Sequence, residues 1–177
     1  MRLVALLRGI NVGGKTTLPM ADLRRIVEGC GYQDVRTYIQ SGNVVLTAPD
    51  GADPGDVADG LAVAIAAERS PLEPEVVVRT AGQLRTVVDT NPYLRRGEDP
   101  KHLHVVFTPG PKAAIGVDDL ARFAPEEAVA EGAEIYFFLP GGVGRSPLAT
   151  EFAKRAKRSG TMRNWRTVTK LAAMAEE

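Results

Sequence analysis

The sequence predicts an α+β protein built from two ferredoxin-like, split β-α-β halves, with antiparallel or mixed sheets and C-terminal helices. Three observations lead there. Apolar runs of strand length and segments of helical period follow one another as β-α-β-β-α-β across residues 1–90. A polar stretch containing Pro and Gly, "PYLRRGEDPK", then interrupts the pattern. Residues 91–177 loosely repeat the plan and close with two helical segments, without a residue-level repeat.

Each element has a local cause. "RLVALLR" is a buried strand, after which Pro19 opens a helix carrying Met20, Leu23, Ile26 and Val27 on one face and ending at Gly31. Cys30, at the end of that helix, is expected as a buried thiol. "VRTYIQ" and "NVVLTA" flank the turn tripeptide "SGN" as a β-hairpin. Asp53 with Pro54 caps a second helix whose Val57, Leu61 and Ile65 form a core stripe, and "EVVVRT" completes the first set. Thr80 caps a short helix over "TAGQLRTVVDTN". In the second set "HLHVVFT" is a strand, "VDDLARFA" a helical stretch, and "EAVAE" and "EIYFFLP" paired strands. Ser146 with Pro147 caps a helix burying Leu148 and Phe152. Thr161 is expected to cap a last helix that turns Met162, Trp165 and Val168 inward.

Composition narrows the class. Of the 177 residues 44% are hydrophobic and 25% charged, as in ordinary globular proteins. The chain starts in strand-like sequence without a signal peptide, and no apolar run is long enough to span a membrane, so a cytoplasmic protein with no membrane partner is expected. A single cysteine excludes an internal disulfide and a cysteine metal cluster. The net charge of zero conceals a separation: residues 145–170 carry +7, while residues 48–135 carry −8. A basic segment of that kind suits an anionic partner; pairing within the chain accounts for it equally well.

"GINVGGKT" fits G-x-x-x-x-G-K-[ST], the phosphate-cradling loop, letter for letter. Its context does not. Pro19 places the helix start about four residues beyond Lys15, so Lys15 and Thr16 fall in loop, and no strand ends in the Asp that would help hold magnesium. A working nucleotide hydrolase is therefore not expected, although Arg8, Asn11 and Lys15 keep the chemistry to bind an anion.

Four stretches, "LLRGINVGGK", "VRTYIQSGNVV", "LPGGVGRSPL" and "TMRNWRTVTKL", resemble in order and spacing the bacterial family known as domain of unknown function 1697. The resemblance runs from residue 2 to about residue 172, and residues 50–130 carry little of it. It implies an α+β fold with ferredoxin-like halves and no established activity.

These stretches place polar side chains at element ends, where sites are usually built. They are Arg8, Asn11 and Lys15 after the first strand; Gln40, Ser41 and Asn43 at the hairpin turn; Arg145 and Ser146 at a helix start; and Arg163 and Asn164 in the first turn of the last helix. Helix N-termini and arginine both favour anions, so the stretches are expected to line one cleft that binds a small phosphate- or carboxylate-bearing ligand, nucleotides included. In the competing reading Gly9, Gly13, Gly14 and Gly42 serve turns, while Asn11 and Asn43 bond nearby backbone.

Other chemistry is thin. His102 and His104 lie two apart in one strand with no third ligand, so no metal site is expected. The adjacent Glu126 and Glu127 project differently, which leaves paired-carboxylate catalysis without support. No complete catalytic set appears, and the residues leave the cofactor unidentified and an enzyme whose acid or base comes from the substrate or a bound metal open. The alternative function is a nucleic-acid-binding module using the basic C-terminal helices, with Arg163, Arg166 and Lys170 on one helix face. Against it, the aromatic content is only 6% and no RNA-recognition strand motif occurs.

Overall fold

A computed structural model describes residues 1–11, 17–156 and 160–177. The chain forms two compact units, Met1–Arg85 with Lys170–Glu177, and Thr86–Thr169. Both boundaries fall inside helices.

Unit 1 contains β1 (Arg2–Arg8), α1 (Met20–Gly29), β2 (Gln33–Tyr38), β3 (Asn43–Thr47), α2 (Pro54–Glu68) and β4 (Glu75–Thr80). Its sheet has the order β2-β3-β1-β4 and is antiparallel throughout. Leu3, Ala5 and Leu7 of the central strand join Leu23, Ile26 and Val27 of α1 and Leu61 and Ile65 of α2 in one core. Each buried side chain of this kind contributes about 1.5–3 kcal/mol. Val4 and Leu6, on the opposite face of β1, are fully buried as well. Burial on both faces is why "RLVALLR" is continuously apolar instead of alternating. Asp53 caps α2 by accepting from the backbone N–H of Gly55 and Asp56. Ion pairs Asp22–Arg69 and Arg25–Glu68 link α1 to the end of α2. The C-terminal residues return to this unit: Arg36 bonds Glu177 and the Met174 carbonyl, and Arg85 bonds Glu176.

The chain continues through α3 (Ala81–Thr90), α4 (Pro92–Arg95), β5 (Leu103–Phe107), β6 (Glu127–Glu131), β7 (Glu134–Phe138), α5 (Pro147–Arg155), β8 (Thr161–Asn164) and α6 (Trp165–Glu176). The unit 2 sheet has the order β6-β7-β5-β8, again antiparallel, so β5 to β8 take the places of β1 to β4. Its core gathers Val106, Ile135, Phe137, Leu148 and Phe152. The two sheets are purely antiparallel, which resolves the open expectation of antiparallel or mixed pairing.

Four expectations are corrected. Thr161 does not cap the last helix: Thr161–Asn164 is a strand paired with β5, and α6 starts at Trp165. "VDDLARFA" supplies one 3-10 turn, Ala121–Phe123, in place of a helix. His102 sits in a 3-10 turn ahead of β5, so the two histidines do not share a strand. Cys30 is exposed, because it stands past the last buried position of α1. Burial and the nearby Glu68 carboxylate push its thiol pKa up.

Candidate functional site

In unit 1 two of the four sequence stretches meet at one end of the sheet. β1 and the β2–β3 hairpin turn finish there, and Asn11 fastens them together. Its Nδ2 donates to the Leu18 carbonyl at 3.0 Å and the Gln40 carbonyl at 2.8 Å, while its Oδ1 accepts from the Leu18 N–H at 2.8 Å. The bonds between Asn11 and Leu18 hold the base of the glycine-rich segment, and the bond to Gln40 ties that base to the hairpin. Lys15 and its neighbours in residues 12–16 lie outside the described residues.

The hairpin turn is fixed with equal care. Asn43, fully buried, donates to the Tyr38 carbonyl and to Ser41 Oγ, each at 2.9 Å. The Leu7 N–H donates to the Gly42 carbonyl at 2.8 Å. Gly42 has φ +75°, and a Cβ there would lie 2.7 Å from Ile10 Cδ1 and 2.8 Å from Leu7 Cβ, so the position requires glycine. Asn11 and Ile39 carry positive φ without being glycine, at 54° and 48°. For Ile39, β-branched and half exposed, this is a strained conformation that the turn holds in place.

Arg8 closes the end of β1 opposite Glu75 of β4, with Nη1 3.7 Å from the carboxylate and about a third of the side chain exposed. Gln40 and Ser41 are exposed in the hairpin turn.

The unit 2 residues are engaged differently. Ser146 Oγ caps α5 by accepting from the Ala149 N–H at 2.8 Å, and it donates to Glu126 Oε2 at 2.9 Å. The same carboxylate oxygen accepts from the Leu148 N–H at 3.0 Å. Glu126, 7% exposed, thus places an anion of the chain itself at the N-terminus of α5, where an outside anion was expected. Arg145 is exposed in a 3-10 turn just before that cap.

Arg163 is not in a first helical turn. It lies in β8, 7% exposed, with Nη1 donating to Thr161 Oγ1 at 2.6 Å and to the Met162 carbonyl at 2.9 Å. Burial pushes its pKa down to about 10. Arg163 therefore does not share a helix face with Arg166 and Lys170. Asn164 caps α6, accepting from the Thr167 N–H at 2.9 Å.

The buried arginine has a counterpart in unit 1. Arg79 of β4 is also 7% exposed, and its Nη1 donates to the carbonyl of the preceding residue, Val78, at 3.0 Å. Arg79 pairs with Val4 and Arg163 with Val105, the equivalent central strands, and each precedes a helix cap. Thr80 and Gln83 form a reciprocal capping box at 2.9 and 3.1 Å. A residue-level correspondence between the halves thus exists, carried by a single Arg before a capping residue and too short to register as a sequence repeat. Among the described residues no three His, Cys, Asp or Glu side chains group as a metal site. No helix of the described residues is long and apolar enough to cross a membrane.

The sequence matches, over residues 1–136, the family described as "Protein of unknown function (DUF1697)". The chain belongs to the DUF1697 family. Its fold is also that of a solved relative, the conserved bacterial protein SP0830 from Streptococcus pneumoniae, at TM-score 0.73 and 23% identity over 98% of both chains. No curated protein matches the sequence. In this DUF1697 member, "LLRGINVGGK" and "VRTYIQSGNVV" fall within the matched residues, and "LPGGVGRSPL" and "TMRNWRTVTKL" lie beyond them. Glu126 was missed as the carboxylate at the start of α5 because its partners stand twenty and more residues away; no local signal marks it.

Proposed function

We propose that the protein binds a small phosphate- or carboxylate-bearing ligand at the unit 1 sheet end, with Arg8 as the principal cation and Gln40 and Ser41 as neutral partners. The observation that carries this reading is the Asn11 clasp, which joins Asn11 to Leu18 and ties it to the hairpin turn at Gln40, at the end of β1 that carries Arg8. Strained backbone held by its surroundings, as at Ile39, is typical of places where a chain positions groups for a ligand. Asn11 and Asn43 serve as scaffold in this reading, since their amides are committed to the backbone and to Ser41.

Calorimetric titration at low salt with inorganic phosphate, mononucleotides, dicarboxylates and a short oligonucleotide tests the proposal. Saturable binding of one small anion, weakened about tenfold by Arg8→Ala, is the expected result. Unchanged affinity in Arg8→Ala, or no small anion binding at all, overturns it. Oligonucleotide binding that collapses steeply with added salt would move the assignment to the nucleic-acid reading.

A further inference from the structure

Unit 2 lacks a helix at the place where unit 1 has α1. In unit 1 the connection from the first to the second strand of the sheet brings Leu23, Ile26 and Val27 down onto the sheet, all essentially fully buried. The corresponding connection in unit 2, residues 108–126, begins "TPGPKAAIG" and forms only the single 3-10 turn. Pro109 and Pro111 remove backbone donors and Gly110 and Gly116 loosen the chain, so no helix forms over the first half of the segment. Its first half lays only the small Ala113 and the half-buried Ile115 against this core, and Leu120 and Phe123 follow from its second half. The shortfall is a cavity of about 330 Å³ between this segment, β7 and α5.

We propose that this cavity binds a small monocarboxylate with an apolar body, a short aliphatic or aryl acid. Its size is at the lower end of the range for small-molecule sites. Ile135 and Phe152 form an apolar floor, with Ala113 and Ala156 on the walls, and this surface suits a hydrocarbon group. Among the described residues of the lining, both ionisable side chains, Lys112 and Arg155, are cations, and none is a carboxylate. Arg155 Nε already donates to Glu151 at 2.6 Å. Lys112 makes no ion pair among the described residues, which leaves one uncommitted positive charge at the rim. One charge above an apolar floor matches a monoanion with a hydrophobic tail better than a polyphosphate, which demands several donors and gains nothing from Phe152.

The test is calorimetric titration of the whole chain with hexanoate and phenylacetate, and with hexanamide and phenylacetamide as uncharged counterparts. Saturable binding of an acid is expected, weakened about fivefold by Lys112→Ala while the matching amide is unaffected. Ala113→Leu fills the cavity and is expected to abolish binding without lowering the melting temperature; Ala156→Leu fills it from the other wall and serves if Ala113→Leu misfolds. Arg8→Ala leaves this binding intact, which separates the site from that at the unit 1 sheet end. Failure of both acids to saturate by about 10 mM overturns the proposal, as does full binding by a well-folded cavity-filled variant. Equal loss for acid and amide in Lys112→Ala overturns the carboxylate assignment.

Discussion

Replacing Gly42 by alanine isolates the contact that presses the hairpin turn against the end of β1. Two costs arise. A Cβ at φ +75° costs about 1–2 kcal/mol, partly offset by about 0.4–1 kcal/mol from the stiffer unfolded chain. The second cost is steric: the new methyl would lie 2.7 Å from Ile10 Cδ1 and 2.8 Å from Leu7 Cβ. The Ile10 terminus can swing aside, but Leu7 Cβ is fixed to the backbone of a central strand paired on both sides. Overpacking of this kind costs about 1–3 kcal/mol. Gly31→Ala supplies the control, because its φ is +90° and nothing lies within 4 Å of its added Cβ. Gly42→Ala should therefore melt lower than Gly31→Ala by about 2–12 °C, at roughly 2–4 °C per kcal/mol for a chain of this size. Differential scanning calorimetry of both variants reads the difference directly. Equal melting temperatures would refute the steric argument and the role of Gly42 in seating the turn.

Three further outcomes follow from other contacts. Glu126→Ala strips two hydrogen bonds to a buried carboxylate at the start of α5 and should cost about 2–4 kcal/mol by urea denaturation, with Glu126→Gln costing less because an acceptor oxygen remains. His104 is 8% exposed, its Nδ1 has no hydrogen-bond partner among the described residues, and burial lowers its pKa from 6.5. Below pH 6.5 the unfolded chain therefore binds more protons than the folded one: the contribution is complete above that pH and is lost as pH falls toward the folded value. The stability difference between pH 7.5 and pH 5 should shrink in His104→Gln, and equal differences in the two proteins would contradict the assignment. Cys30 is exposed with a raised pKa, so iodoacetamide should alkylate it completely in the native protein at pH 7.5, but more slowly than a free cysteine. Failure of the native protein to react would show the thiol to be covered.

The strands and helices of unit 1 were legible because local signals agree there: a helix period from Leu23 to Val27, an Asp-Pro cap at Asp53, and a turn tripeptide between two β-branched runs. β8 was not legible. Met162, Trp165 and Val168 recur at helical spacing, yet Met162 belongs to a four-residue strand in which it alternates with the buried Arg163, and only pairing with β5 decides this. "VDDLARFA" has the composition of a helix, but Pro125 disfavours helical backbone at Ala124, and only the 3-10 turn Ala121–Phe123 forms. At the candidate site, the sequence placed Arg8, Asn11, Gln40, Ser41 and Asn43 at element ends. It could not distinguish amides committed to scaffold from side chains open to solvent, because that depends on which carbonyls come within reach after folding. The cavity in unit 2 left no motif at all, since it arises from a helix that the chain does not form.

The return of the C-terminal residues to unit 1 bears on how the protein is made. A ribosome delivers all of Thr86–Thr169 before it releases Met174, Glu176 and Glu177, the partners of Arg36 and Arg85. At about 5–20 residues per second, unit 1 waits several seconds for them. The half that emerges first therefore gains its last contacts late: Arg36 and Arg85 meet Met174, Glu176 and Glu177 only after residues 86–169 have been made.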